Sequence, residues 1–223
     1  MKYPKYERFG RLRKYLQEMY GFRRLRADKA LWEVLDPICR ASSSTGCTFH
    51  ELYVLYRFIR RKRPRHVLEL GAGVSTVVMA HAVKLCCDAG SQSHLVAMED
   101  HSFYHDELQK SFPEHLKPHV SLVLSPTEDV EFKGLVGRRY INKPRHEYGM
   151  VFIDGPEIPT QKEDASFFDG DVLDVREWNP GRFNAYLDCR IGTRDNLRKL
   201  FPEAVFTWDR QHKFSTFEFP SRS

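Results

Sequence analysis

Along the first 26 residues apolar and polar positions follow no clean period: Tyr3, Tyr6, Phe9, Tyr15, Tyr20 and Phe22 are scattered among many Arg and Lys. This basic, aromatic arm is expected to be helical in part, from Arg11 to Tyr20. A rhythm then sets in. Between Lys29 and about Arg40, Leu31, Trp32, Leu35 and Ile38 recur at spacings of three and four, which predicts an amphipathic helix. The segment Ser42 to Gly46 reads as a flexible interruption. Thr48 followed by Glu51 is a capping box, in which the hydroxyl accepts from an early backbone N–H and the carboxylate reaches back to the cap. The helix it opens is predicted over Phe49 to Arg61, burying Leu52, Leu55, Tyr56 and Ile59.

Beyond Pro64 the pattern changes to short apolar runs separated by helical stretches, the rhythm of βαβ units around a mainly parallel sheet. Strands are predicted at His66–Leu70, Leu95–Met98, Val120–Leu124, Gly149–Ile153 and Phe183–Leu187, with a helix over Thr76–Leu85. Ala204–Trp208 and Lys213–Glu218 read as two more strands, an antiparallel hairpin at one edge. The expected molecule is α/β, a seven-stranded sheet with helices on both faces. Residues 1–47 form a basic helical extension and residues 48–223 the main domain. Phe132 to Glu147, with Arg138, Arg139, Tyr140 and Arg145, reads as a long basic loop of the kind that serves as a lid. Together with Ser42–Cys47 and Glu157–Pro180 it is a candidate wall for an acceptor pocket.

Composition narrows the class. No run approaches the roughly 18 to 20 apolar residues of a membrane span, and no secretory h-region opens the chain, so a soluble, cytoplasmic protein without a membrane span is expected. Five cysteines, an odd number without CxxC spacing, fit reduced thiols. The net charge of +5 hides an asymmetry: residues 1 to 65 carry 17 Lys or Arg against 6 Asp or Glu, so the rest of the chain is acidic. The basic part is either a solvated helical face or a surface for an anionic partner such as nucleic acid, a phosphorylated glycan or lipid.

The candidate chemistry sits at strand ends. Val67-Leu68-Glu69-Leu70-Gly71-Ala72-Gly73-Val74-Ser75-Thr76 joins a strand to a helix through two glycines, so that a ligand can approach the backbone and the N–H groups opening the helix. A dinucleotide fingerprint needs a third glycine, and Thr76 stands there instead. Glu69 would repel a pyrophosphate but can meet a cationic amino-acid group. This run resembles motif I of the class I S-adenosylmethionine (SAM)-dependent methyltransferases, in the ExGxGxST form of a branch that modifies sugars and small molecules. The resemblance covers about Thr48 to Phe201 and implies a Rossmann-like fold with SAM as cofactor. It implies that Glu69, Gly71, Ala72, Gly73, Ser75 and Thr76 cradle that cofactor. Glu99, ending the second strand, would hold its ribose through both oxygens, with Asp100 as the neighbouring alternative. Ser125 and Thr127 fall where such enzymes contact adenine.

The fourth strand delivers Phe152-Ile153-Asp154-Gly155-Pro156, which looks like the FIDGP segment of the same branch. The resemblance puts Asp154 near the reactive methyl group, as base, substrate anchor or metal ligand. Asp188, ending the fifth strand, is the second catalytic candidate. Its successor Cys189 stands where metal-dependent relatives carry Asp or Asn and is a poor partner for magnesium, so no metal is expected. Arg190, Arg194 and His50 are candidates for holding the acceptor, a small molecule or glycan. Asp154-Gly155-Pro156-Glu157 is not the motif of amino-group methyltransferases, which favours an oxygen acceptor. The competing readings are methylation of nucleic acid or protein, suggested by the basic arm, a nicotinamide-binding oxidoreductase, and a non-catalytic domain of the same fold.

Overall fold

The computed structural model describes residues 4–41, 47–156, 167–210, 212 and 214–222. The segments 42–46 and 157–166, assigned above to a flexible interruption and to part of the acceptor wall, lie outside the described residues.

Three helices lead in: α1 (Pro4–Ala27), α2 (Lys29–Ala41) and α3 (Phe49–Lys62). The capping box at Thr48 forms as predicted, with the Glu51 carboxylate accepting from the Thr48 N–H at 2.7 Å. β1 (His66–Leu70), α4 (Val74–Asp88), β2 (His94–Glu99), α5 (Ser102–Ser111) and β3 (Val120–Leu124) follow. β6 (Tyr148–Ile153), α6 (Asp171–Trp178), β8 (Phe183–Leu187), α7 (Ile191–Leu200), β9 (Val205–Asp209) and β10 (Phe214–Phe219) complete a seven-stranded sheet of order β3-β2-β1-β6-β8-β10-β9. β10 runs antiparallel to both β8 and β9, and the pairings β3-β2-β1-β6-β8 are parallel.

Successive strand residues alternate between two covered faces, which is why these strands are apolar almost throughout. Leu68, Leu70, Val151, Ile153, Ala185 and Leu187 pack with Val172 and Val175 of α6 and Leu197 of α7. Val67, Leu95, Met150 and Phe152 face Leu55 and Ile59 of α3 and Val77, Ala80 and Val83 of α4. A third cluster joins Leu25, Leu31 and Leu35 of α1 and α2 to Leu52 and Tyr53 of α3 and Val78 of α4.

Two expectations are corrected. The first arm is one continuous helix, α1, and not a short helix in an irregular arm. Among its described side chains, those of the second half fasten it to the body, at Glu18, Gly21 and Leu25, while Leu12, Tyr15 and Leu16 are exposed. The basic stretch after Phe132 is no long loop. β4 (Thr127–Phe132) and β5 (Leu135–Tyr140) make a hairpin, and with β7 (Phe167–Asp169) a second, three-stranded sheet. Its two-residue turn has both Lys133 (φ 51°) and Gly134 (φ 76°) in the left-handed region, the geometry whose twist suits a tight hairpin. Arg138 and Arg139 lie directly across from Asp129 and Glu128, at 3.0 and 2.8 Å, so their charge is answered within the hairpin. Likewise Phe167–Asp169 and α6, read above as pocket wall, are largely core: Phe168, Val172 and Val175 are buried.

Candidate functional site

The chain order reverses between β1 and β6: from β1 the sheet continues to β2 and β3 on one side, and from β6 to β8 on the other. Ligands of open α/β sheets bind at such a switch, beyond the carboxyl ends of the strands. The candidate residues stand there. Glu69 and Asp154 lie at or just past the ends of β1 and β6, Glu99 ends β2, and Asp188 follows β8.

The loops from β1 and β6 meet backbone to backbone. Gly71 has φ +92°, and a Cβ on it would lie 2.7 Å from Gly155 N and 2.9 Å from the Asp154 carbonyl carbon. A Cβ on Gly155 would in turn meet Gly71 Cα at 2.6 Å and the Tyr140 hydroxyl at 2.8 Å. Glycine is required at both places, once for its φ and twice for the close approach. The Gly71 and Ala72 N–H groups both donate to the Met98 carbonyl (3.0 and 2.9 Å), and Asp154 N–H donates to the Leu70 carbonyl (2.8 Å), so the three strand ends form one frame. Gly73 differs: no described residue lies within 4 Å of where its Cβ would be, at the start of α4.

Parity along β1 puts Glu69 on the same face as Val67, under the first turn of α4. Ser75 Oγ donates to its Oε1 at 2.5 Å, while Thr76 Oγ1 accepts from the Gly73 N–H at 2.8 Å. The Ser-Thr pair therefore shapes the cradle from inside. Glu69 is fully buried and its Oε2 has no partner among the described residues. Burial pushes its carboxyl up to about 8, against the pull of the Ser75 hydrogen bond. A buried carboxyl with one idle oxygen suits a cationic ligand group, whose charge would restore the carboxylate.

Glu99 is also buried, accepts from the His101 N–H at 3.0 Å, and is raised by desolvation first and by Asp100 next. Asp100 itself is half-buried. Asp154 is raised to about 8, by burial first and then by the charge of Asp188. Cys47 Sγ lies 4.0 Å from Asp154 Oδ2, and the charge of Glu69 adds to the rise at Asp154.

Other expected roles change. The Ser125 hydroxyl is buried and held within its turn, donating to the Pro126 carbonyl and accepting from the Asn142 N–H, both at 2.9 Å. Thr127 begins β4, paired with Tyr140. Arg190 braces the β6 loop: its guanidinium donates to the Asp154 carbonyl and, at 2.6 Å, to the Pro156 carbonyl, and it stands 3.4 Å from Asp188 Oδ1. That cation beside Asp188, with Cys189 next to it, makes the pair a poor seat for a hard divalent ion. Arg194 stacks over Trp208 at 4.5 Å and pairs with Asp195 at 2.8 Å. His50 lies in the first turn of α3, grouped with Asp209 and His212. Tyr140, read above only as part of a basic loop, has its hydroxyl buried without a partner among the described residues at the Gly71–Gly155 junction, and the run Leu-Val-Gly-Arg-Arg-Tyr of β5 carries no periodic signal that marks it.

No protein-family model matches the chain, and no curated protein matches it in sequence. Solved structures do match in shape. A methyltransferase of Podospora anserina, PaMTH1, solved with S-adenosylhomocysteine, is 11% identical, with 87% of this chain and 88% of that one covered and a TM-score of 0.58. The O-methyltransferase TomG of Streptomyces achromogenes, involved in tomaymycin synthesis and solved with SAM, is 12% identical over 87% and 91% of the two chains (TM-score 0.54). An O-methyltransferase of Bacillus cereus in complex with S-adenosylhomocysteine is 13% identical over 86% and 90% (TM-score 0.54). Together with the strand order and the antiparallel β10, these likenesses show that the chain has the Rossmann-like fold of class I methyltransferases.

Proposed function

We propose that this chain is an SAM-dependent methyltransferase that acts on a hydroxyl of a small molecule or glycan. The observation that carries the reading is Glu69, buried under the first turn of α4 with one oxygen idle among the described residues, at the strand end that leads into the Gly71–Gly73 loop. The similar proteins solved with SAM or its demethylated product support it.

When bound, SAM supplies an electrophilic methyl group on a sulfonium. The protein's part is alignment and proton removal. Glu69 neutralises the cationic amino-acid end, and Glu99 accepts from the ribose hydroxyls. Asp154, raised by burial and by Asp188, would be a base matched to neutral pH, placed to take the proton of an acceptor hydroxyl. Arg190 holds the Asp154 carbonyl and stands beside Asp188, which fixes the pair in place. The acidic pocket suits a neutral or cationic acceptor, and the electrostatics disfavour a phosphate-tracking one.

Calorimetry with SAM and with NAD tests the cofactor. Micromolar or tighter binding of SAM, none of NAD, and a loss of about tenfold or more in Glu99→Ala are expected. Unchanged affinity in that variant removes the ribose assignment. For a hydroxyl-bearing small molecule, turnover depends weakly on salt; a steep fall between about 50 and 200 mM would point to nucleic acid at the basic arm.

A further inference from the structure

Away from the carboxylate pair, two imidazoles and a carboxylate converge from opposite ends of the chain. His50 comes from the first turn of α3, and Asp209 and His212 from the connection between β9 and β10. One nitrogen of each ring and one Asp209 oxygen all lie within 4.8 Å of one another. Asp209 Oδ2 is 3.2 Å from His212 Nδ1 and 4.0 Å from His50 Nε2. The other oxygen, Oδ1, accepts from the His212 N–H at 3.3 Å, which fixes the carboxylate in its turn.

A merely structural cap would need one imidazole. The second is hard to explain that way. His212 Nδ1 hydrogen-bonds Asp209 Oδ2, whereas His50 Nε2, facing the same oxygen, is too far for one; the other two ring nitrogens, His50 Nδ1 and His212 Nε2, are buried without a partner among the described residues. The rings stack at 4.2 Å. We infer that His50, Asp209 and His212 form a binding site for a divalent first-row transition metal, of which zinc is the representative.

The donor chemistry fits that class. Two imidazoles and one carboxylate bind zinc at about 2.0 to 2.2 Å, which sets ligand atoms roughly 3.3 Å apart in a tetrahedron and leaves a fourth position for water. Oxygen-seeking magnesium or calcium would find too few oxygens. Closing the 4.0 Å gap needs a shift of under about 1 Å, and the rings must tilt out of their 24° stack so that their in-plane lone pairs converge. The Glu18 carboxylate, accepting from the Phe49 and His50 N–H groups at 2.8 and 3.0 Å, orients this turn from behind. The inference stands whether or not the strand-end site transfers methyl groups.

The test uses the full chain, stripped with chelator, dialysed and titrated with Zn2+ against a chromophoric competitor. One equivalent bound at about micromolar Kd or tighter is expected, with a loss of about 100-fold or more in His212→Gln and in His50→Gln. Asp154→Asn and Cys189→Ser should bind as the wild type does. Co2+ should give a four- or five-coordinate visible spectrum without a thiolate charge-transfer band. X-ray absorption of the zinc-loaded wild type should show imidazole scattering, a reading that needs no variant to fold. Absence of binding at 100-fold chelator-limited excess, full affinity in the folded His212→Gln protein, or a thiolate band would each overturn the site.

Discussion

Among single residues Glu69 is the one whose environment makes the clearest measurable demand. Its carboxyl is raised to about 8 by burial from a usual value of 4.5. Below pH 4.5 folded and unfolded chains are both protonated there. Between that point and about 8 the unfolded chain releases a proton that the folded one keeps, so stability falls as pH rises through this window. At 1.36 kcal/mol per unit the ceiling is a few kcal/mol, and Asp154 contributes in the same direction. Glu69→Gln should therefore lose stability less steeply than the wild type between pH 5 and 8, measured as denaturant midpoints; an unaltered slope would refute the assignment. SAM binding should also release protons near pH 7, read as a dependence of calorimetric heat on buffer ionisation enthalpy. At this scale the sequence carries chemistry better than partners. The acidic residues at the strand ends were legible because a carboxylate closing an apolar strand has few other uses. Ser125, Arg190 and Arg194 have protein partners that only the folded geometry brings near, 17, 36 and 14 residues away in Asn142, Asp154 and Trp208.

Secondary elements were legible in proportion to how fully their periodicity reports burial. β1, β3 and β8 occupy the predicted residues, and α3 starts at its predicted cap, because both signals are local. The β4–β5 hairpin was read as a basic loop because its stability comes from a Lys133-Gly134 turn and from acid-base pairs across the strands, neither of which shows as an apolar alternation. The two left-handed glycines of these elements make a contrasting pair. Gly134 has φ +76° with open space around it, so Gly134→Ala should cost about 1 kcal/mol of backbone strain and leave SAM binding intact. Gly71 has φ +92° and backbone of Gly155 within 2.7 Å of the added methyl, so Gly71→Ala must part the β1 and β6 loops. A loss of about 2 to 4 kcal/mol in urea denaturation, together with loss of SAM binding, is expected there. Equal costs for the two variants would mean that the loop junction yields freely.

At the scale of the whole molecule, what the leading helices do for the body is the part least visible in the sequence. α2 packs through the apolar face that its spacing announces, whereas the attachment of α1 uses Leu25, a glycine and single polar groups. Asp28, at the α1–α2 corner, accepts from the Leu31 N–H (3.2 Å) and the Tyr56 hydroxyl (2.9 Å) and lies 3.1 Å from His81 Nε2, so one carboxylate ties α2, α3 and α4 together. Gly21 lets α1 touch α3: a Cβ there would stand 2.5 Å from the Phe49 carbonyl oxygen and 2.8 Å from His50 Cα. That contact brings Glu18 onto the N–H groups of Phe49 and His50, where a carboxylate also favours the positive end of α3. Gly21→Ala should thus push α1 away, cost about 1 to 3 kcal/mol, and uncap α3. Glu18→Gln keeps the packing and weakens only the charge-assisted cap, so it should cost about 0.5 to 1 kcal/mol, with the difference between the two variants reporting the helix contact. Urea midpoints of both proteins measure it. If Gly21→Ala were no worse than Glu18→Gln, α1 would be an appendage whose close approach to α3 adds nothing to the stability of the fold.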